Sequence, residues 1–305
     1  MTFRKILLFL LIILISICVV YVFWMQSGVQ IQQSVAASLS ADVVTIEALK
    51  AKYAHQEKIK VLIVPGHEPD FGGTQYKKLK ERDLVVPLSD KISTLLRADP
   101  HFDVVQTRDG NDWYPELAVY FDQEWESIKK WVTAQKLEMQ SLIERGEVVV
   151  PEPNPGQAAP GDVALRIYGI NKWANEQDFD IAIHVHLNDY GTQVSSKPNQ
   201  YKGFAIYVPD IQYANASASH AVAEVIFAEL NKKYATSTQP FEKIGVVPDQ
   251  ELIAIGSNNT SDVASILIEY GYLYEPMFQT ASSQEKVFTD MAERTYRGLV
   301  NFFSY

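Results

Sequence analysis

Cysteine is nearly missing: the 305 residues hold one, Cys18. No disulfide can close within the chain, so an exported domain must rest on its hydrophobic core or on a bound metal. Basic charge is also scarce. With Arg4 and Lys5 of the first segment set aside, 25 basic side chains face 37 acidic ones, a formal −12. That deficit argues against nucleic acid as a partner and gives no general attraction to an anionic surface. Any grip on a negatively charged polymer must therefore be local. The chain lacks an internal repeat and any short metal signature of the HExxH kind. With 47% hydrophobic and 21% charged residues it is not a disordered composition. Its length suffices for one large domain or two small ones with a substantial core.

Long apolar runs are confined to the start. Arg4 and Lys5 precede an uncharged stretch from Ile6 to Met25, apolar but for Ser16, long enough to span a bilayer as a helix. It exceeds the apolar region of about 7–15 residues in a cleaved signal. The basic N-terminus predicts a cytoplasmic start, with Tyr21 and Trp24 at the far interface. Residues 1–25 are read as a single-pass membrane anchor, and the rest of the chain as extracytoplasmic. The competing reading is a signal peptide cut near Ala36-Ala37. Cys18, in "ISIC", matches a lipoprotein signal poorly. Residues 26–57, rich in Ala, Ser and Gln, read as a stalk, part helical.

From residue 58 strand and helix patterns alternate. "IKVLIVPG" and "FDVVQT" read as strands, as do "FDIAIHVHLN", "GFAIYVP" and "ASILIEYGY". Leu84, Leu88, Ile92, Leu95 and Leu96 form a helical stripe; Pro87 suits only the first turn of such a helix. Asp162 is placed to cap the helix over "VALRIYGINKWANEQ". Two further amphipathic helices cover "ASHAVAEVIFAELNKKYA" and "SQEKVFTDMAERTYRGLVNFF". The pattern predicts an α/β domain over 58–305, a mostly parallel twisted sheet flanked by helices. An insertion at about 112–162 interrupts it. It consists of one helix of roughly eight turns carrying Tyr120, Trp125 and Trp131, then a proline-rich return. It reads as a surface elaboration or as a lid or docking arm beside the site.

The polar residues at strand ends carry the chemistry. His67 follows a strand in "VPGHEPD", Glu81 opens a helix in "LKERDL", His186 closes a strand in "IHVHLND", and Glu269 follows an apolar run in "ILIEYGY". Carboxylates are seldom buried without a partner. His184 and His186, two apart on a strand, face the same side. Two imidazoles and a carboxylate satisfy a catalytic zinc site, and a second carboxylate can act as base. Residue types alone leave two readings open, a metal site or unrelated core and surface histidines. Arg108 and Asp109 read as a structural pair at a strand end. His55, His101 and His220 read as solvated.

The order "VLIVPGH", "GG", "LKERDL", "FDVVQTRD", "IHVHLND", "ILIEYGYL" resembles the zinc-dependent N-acetylmuramoyl-L-alanine amidases of the amidase 3 type. The resemblance covers 58–305 apart from the insertion. It implies an α/β hydrolase acting on peptidoglycan at the amide between the lactyl group of N-acetylmuramic acid and L-alanine. It also implies zinc held by His67, Glu81 and His186, with Glu269 as the catalytic acid–base. His184, where the family has Ser, is the second choice as ligand. Glu68 stands where the family often has Gly. Some members carry helical segments that obstruct the zinc until a partner removes them, which implies a regulatory protein acting on the inserted helix. Two alternatives remain at this stage: a zinc hydrolase of another cell-wall peptide bond, and an inactive wall-binding module.

Overall fold

The computed structural model describes residues 43–150, 159, 161–188, 194–195 and 200–304. The expected anchor, residues 1–25, lies outside them. Among the described residues no helix is long and apolar enough to cross a membrane.

Continuous apolar runs make the strands, as expected of a sheet covered on both faces. Strands β1 (Ile59–Pro65), β4 (Phe102–Gln106), β5 (Ile181–Asn188), β7 (Ala205–Pro209), β8 (Val246–Asp249) and β9 (Ala264–Tyr272) form one six-stranded sheet in the order β4-β1-β5-β9-β7-β8. All neighbours are parallel except β7 and β9, which run antiparallel. The sheet is mostly parallel, as read from the sequence; β8 is an addition, and the reversed β7 was not legible. Short strands β2 (Gln75–Tyr76), β3 (Leu79–Lys80) and β6 (Val194–Ser195) form a second, three-stranded sheet.

Side chains alternate across the pleat and sort into two cores. Ile59, Val61 and Ile63 of β1 join a cluster with Leu88 and Ile92 of α2 (Glu81–Ala98), Val222 and Ile226 of α5 (Ala216–Asn231), and Met291 and Leu299 of α6 (Ala281–Ser304). Leu62 and Val64 point the other way, into a cluster with Leu117, Phe121, Ile128 and Val132 of α3 (Pro115–Glu144) and Tyr168 and Trp173 of α4 (Gly161–Glu176). The sheet thus has a helical layer on each face.

Helix α3 is the inserted helix, 30 residues long. It crosses α4 at Gly169, where a Cβ would lie 2.9 Å from both Ile128 Cδ1 and Phe121 Cε1. Only glycine permits that close approach. From the segment expected as a stalk, residues Ile46–Ala54 form helix α1, capped by Thr45. Its Leu49 is fully buried in the larger core.

Two helix starts differ from expectation. Helix α4 begins at Gly161, so Asp162 sits inside the first turn, where its charge still favours the helix N-terminus, and does not cap it. Helix α2 begins at Glu81, which puts Pro87 in the second turn. The missing N–H leaves the Asp83 carbonyl without its helical donor, and both residues are exposed to water.

Candidate metal centre and active site

The site lies at the C-terminal ends of β1, β5 and β9, as ligand sites in open α/β sheets do. The Pro65-Gly66-His67 turn stops β1 and puts His67 in the left-handed region, at φ +66°. Gly66 is required there because the His186 ring lies against it. A Cβ on Gly66 would be 2.5 Å from His186 Cε1 and 2.7 Å from both ring nitrogens.

A single buried arginine holds this turn. Arg108 Nε donates to the carbonyls of His67 at 2.9 Å and Pro65 at 3.2 Å. Its Nη2 donates to Gly66 O at 2.5 Å and Arg82 O at 3.0 Å. Burial pulls the guanidinium pKa down to about 10, still well above neutrality. The expected pairing with Asp109 takes another form. Arg108 Nη1 donates to the Asp109 backbone carbonyl, while the Asp109 carboxylate accepts from the amides of Asn111 and Asp112.

Glu81, the first residue of α2, is 4% exposed. The amides of Leu187, at 3.1 Å, and Thr74, at 3.0 Å, donate to its two oxygens. His186 Nδ1 lies 3.0 Å from Oε1, and His67 Nε2 lies 2.7 Å from Oε2. Burial raises the pKa of Glu81, but the adjacent imidazole of His67 and the hydrogen-bonded imidazole of His186 outweigh it and hold the carboxyl well below the usual carboxylate range. Burial pushes the His186 imidazole down, against the opposing pull of Glu81. Ligand atoms of His67, Glu81 and His186 all fall within 4.8 Å of one another. No carboxylate of α3 joins this group among the described residues.

Glu269 stands directly beside His186, its register partner across the β5/β9 pairing. Its Oε2 is buried without a hydrogen-bond partner. Burial, reinforced by the carboxylates of Glu81 and Glu242, raises its pKa well above the ordinary value.

His184 does not join the cluster. It faces the same side one pleat repeat deeper, 3% exposed, and its Nε2 has no partner. Burial there, with His186 close by, depresses its pKa to about 3. A neutral packed imidazole is the outcome. His55 and His220 are exposed as expected, but His101 is not simply solvated. It meets Asp99 at 2.7 Å and stacks on Tyr53 with ring centroids 4.5 Å apart.

Sequence reasoning missed Glu242. Its carboxylate is 2% exposed and accepts from Asn188 Nδ2 at 2.6 Å, Tyr207 OH at 2.8 Å, Tyr272 OH at 2.8 Å and the Ser237 hydroxyl. It ties the end of β5 to β7 and β9 beside Glu269. Its surroundings in sequence, "QPFEKIG", carry neither helical nor strand periodicity and no motif.

The fold recurs in solved structures. The N-acetylmuramyl-L-alanine amidase Ami1 from Mycobacterium smegmatis matches with TM-score 0.53 at 14% identity, over 81% of this chain and 97% of that one. The CwlD amidase from Clostridioides difficile, solved with the GerS lipoprotein, matches with TM-score 0.52 at 16% identity, over 81% and 99%. An N-acetylmuramoyl-L-alanine amidase from Clostridium difficile 630 matches with TM-score 0.50 at 17% identity, over 81% and 97%. No curated protein sequence matches. The family model described as N-acetylmuramoyl-L-alanine amidase matches residues 61–301, which take in nearly all of the six-stranded sheet and of the helices on its two faces. The chain therefore belongs to the N-acetylmuramoyl-L-alanine amidase family, hydrolases that act on amide bonds and whose substrate is peptidoglycan.

Proposed function

We propose that the chain is a membrane-anchored, zinc-dependent amidase that cleaves the bond between the lactyl group of N-acetylmuramic acid and L-alanine in peptidoglycan. One observation carries the reading. His67, Glu81 and His186 bring two imidazoles and a carboxylate together beside the unpartnered oxygen of Glu269.

The donor set fits zinc, which takes imidazole nitrogen and carboxylate oxygen and in catalytic sites keeps three protein ligands. His67 Nε2 supports the fit: it is buried near Glu81 without an aligned hydrogen bond. Bound there, zinc supplies a Lewis acid for the scissile carbonyl and acidifies water.

The chain's own residues do the rest. Thr74 and Leu187 fix both oxygens of Glu81 through backbone amides, so its orientation does not depend on the ion. Burial favours the neutral form of His186, the form in which imidazole binds a metal. Glu269 Oε2, held by no donor, is free to take a proton from the attacking water and return it to the departing L-alanine amine. Burial raises its pKa, which favours uptake of the proton it must later pass on.

Arg4 and Lys5 before the run Ile6–Met25 support anchoring with the catalytic part outside the cytoplasm. Protease protection in sealed membranes checks this. A regulatory protein acting on α3 belongs to the same reading, and the C. difficile CwlD amidase, solved with a lipoprotein, supports it.

The test is metal analysis of the purified chain in detergent, together with mass spectrometry of digested wall fragments. Stoichiometric zinc and new amino-terminal L-alanine are expected. Other peptide ends would replace the reading with a different cell-wall hydrolase. Binding without release would leave a wall-binding module.

A further inference from the structure

Glu68 directly follows His67 and is 6% exposed. Its carboxylate accepts from Arg166 Nε at 2.6 Å and Nη2 at 3.2 Å. Such a fork fixes orientation as well as distance. The guanidinium of Arg166, on α4, lies over the Trp125 ring of α3, with Cζ 5.7 Å from its centre. Contacts of this kind add cation–π attraction to the pairing.

These contacts reach the candidate ligand itself. The Glu68 amide donates to Phe71 O at 3.1 Å, closing the turn that begins at His67. A non-glycine residue at φ +66° persists only where its surroundings over-determine it. Arg108 holds the turn from the sheet side, through the Gly66 and His67 carbonyls. Arg166 and Trp125 hold it from the helical layer. A buried carboxylate that loses its partner must turn out to water. Losing Arg166 therefore frees the turn on one side and the His67 ring with it.

We propose that Glu68, Arg166 and Trp125 are positioning residues that couple the seating of helix α3 to the metal affinity of the site, through His67. The inference rests on the metal-site reading above. It makes the inserted helix a support of the site, so that moving α3 away weakens metal binding.

The test measures zinc affinity of the full chain in detergent by competition with a chromophoric chelator. The metal-free forms are compared by thermal melting. Arg166→Ala and Glu68→Gln are expected to weaken zinc binding about 10–100-fold, the usual effect of removing a residue that orients a ligand. Trp125→Leu is expected to weaken it several-fold, and to add nothing in the Arg166→Ala background. Arg166→Lys should fail to rescue, because an ammonium reproduces neither the fork nor the stack. Should Arg166→Ala fail to fold, Trp125→Leu and Arg166→Lys carry the test. Equal zinc affinity in folded variants and wild type would overturn the proposal, whatever their melting temperatures. A wild-type chain that binds no zinc would instead remove the metal-site reading, and this inference with it.

Discussion

Glu269 and His186 are register partners on adjacent parallel strands, yet their fates differ. His186 is engaged by Glu81, whereas Glu269 keeps a buried oxygen with no partner. An unsatisfied buried carboxylate costs stability. Its survival here fits a group kept free for proton transfer.

Replacing Glu269 with Ala should leave metal content unchanged and lower kcat/KM about 10²–10⁴-fold, the usual worth of an acid–base group. Metal analysis and release of amino-terminal L-alanine check both halves. Full hydrolysis by the purified variant would remove Glu269 from its role.

The same carboxyl gives a pH signature in the metal-free protein. Its folded pKa is raised above the ordinary value of 4.5, so the folded state favours the proton. The stability this contributes is complete below the unfolded pKa and is lost as pH rises through the folded pKa. Glu269→Gln, which stays neutral, should therefore melt higher than the parent at neutral pH in chelator. That advantage should fade on acidification. A constant difference between pH 4 and 8 would contradict it.

Gly66→Ala should damage the site more than the fold. The added methyl meets the His186 ring at 2.5 Å, and the ring must move. We expect zinc content to drop at least tenfold with a melting temperature within a few degrees of the parent. Normal zinc loading would mean that the ring has room that the structure does not show.

Arg108→Met should destabilise by about 3 kcal/mol or more, since several buried carbonyls lose their donor together. Urea denaturation measures it. Arg108→Lys should recover only part, because one ammonium cannot reach Pro65, Gly66, His67 and Arg82 from the same position.

The strands and helices were legible wherever periodicity was strong. β9 spans Ala264–Tyr272, as its apolar run indicates, and α3 covers most of the insertion. The order of the strands was not legible, because it depends on pairing between distant segments. For the site, residue types alone left both a metal centre and unrelated histidines open. The ordered motifs of the amidase resemblance singled out His67, Glu81, His186 and Glu269, and the fold does gather them. His184 shares a face with His186, but facing is not meeting; one pleat repeat of depth separates a packed imidazole from a gathered one. The supports were hidden for a physical reason. Arg108, Arg166 and Glu242 act on partners remote along the chain, and no local pattern records such contacts.

The place of β9 has a consequence for how the protein is made. It is the last strand in sequence, yet it sits between β5 and β7 in the middle of the sheet. Until the ribosome has passed Tyr272, β5 offers an open, strongly apolar edge to any neighbouring chain. A polypeptide stalled or truncated before that point would be prone to aggregate, and a holding chaperone during synthesis would be of most use there.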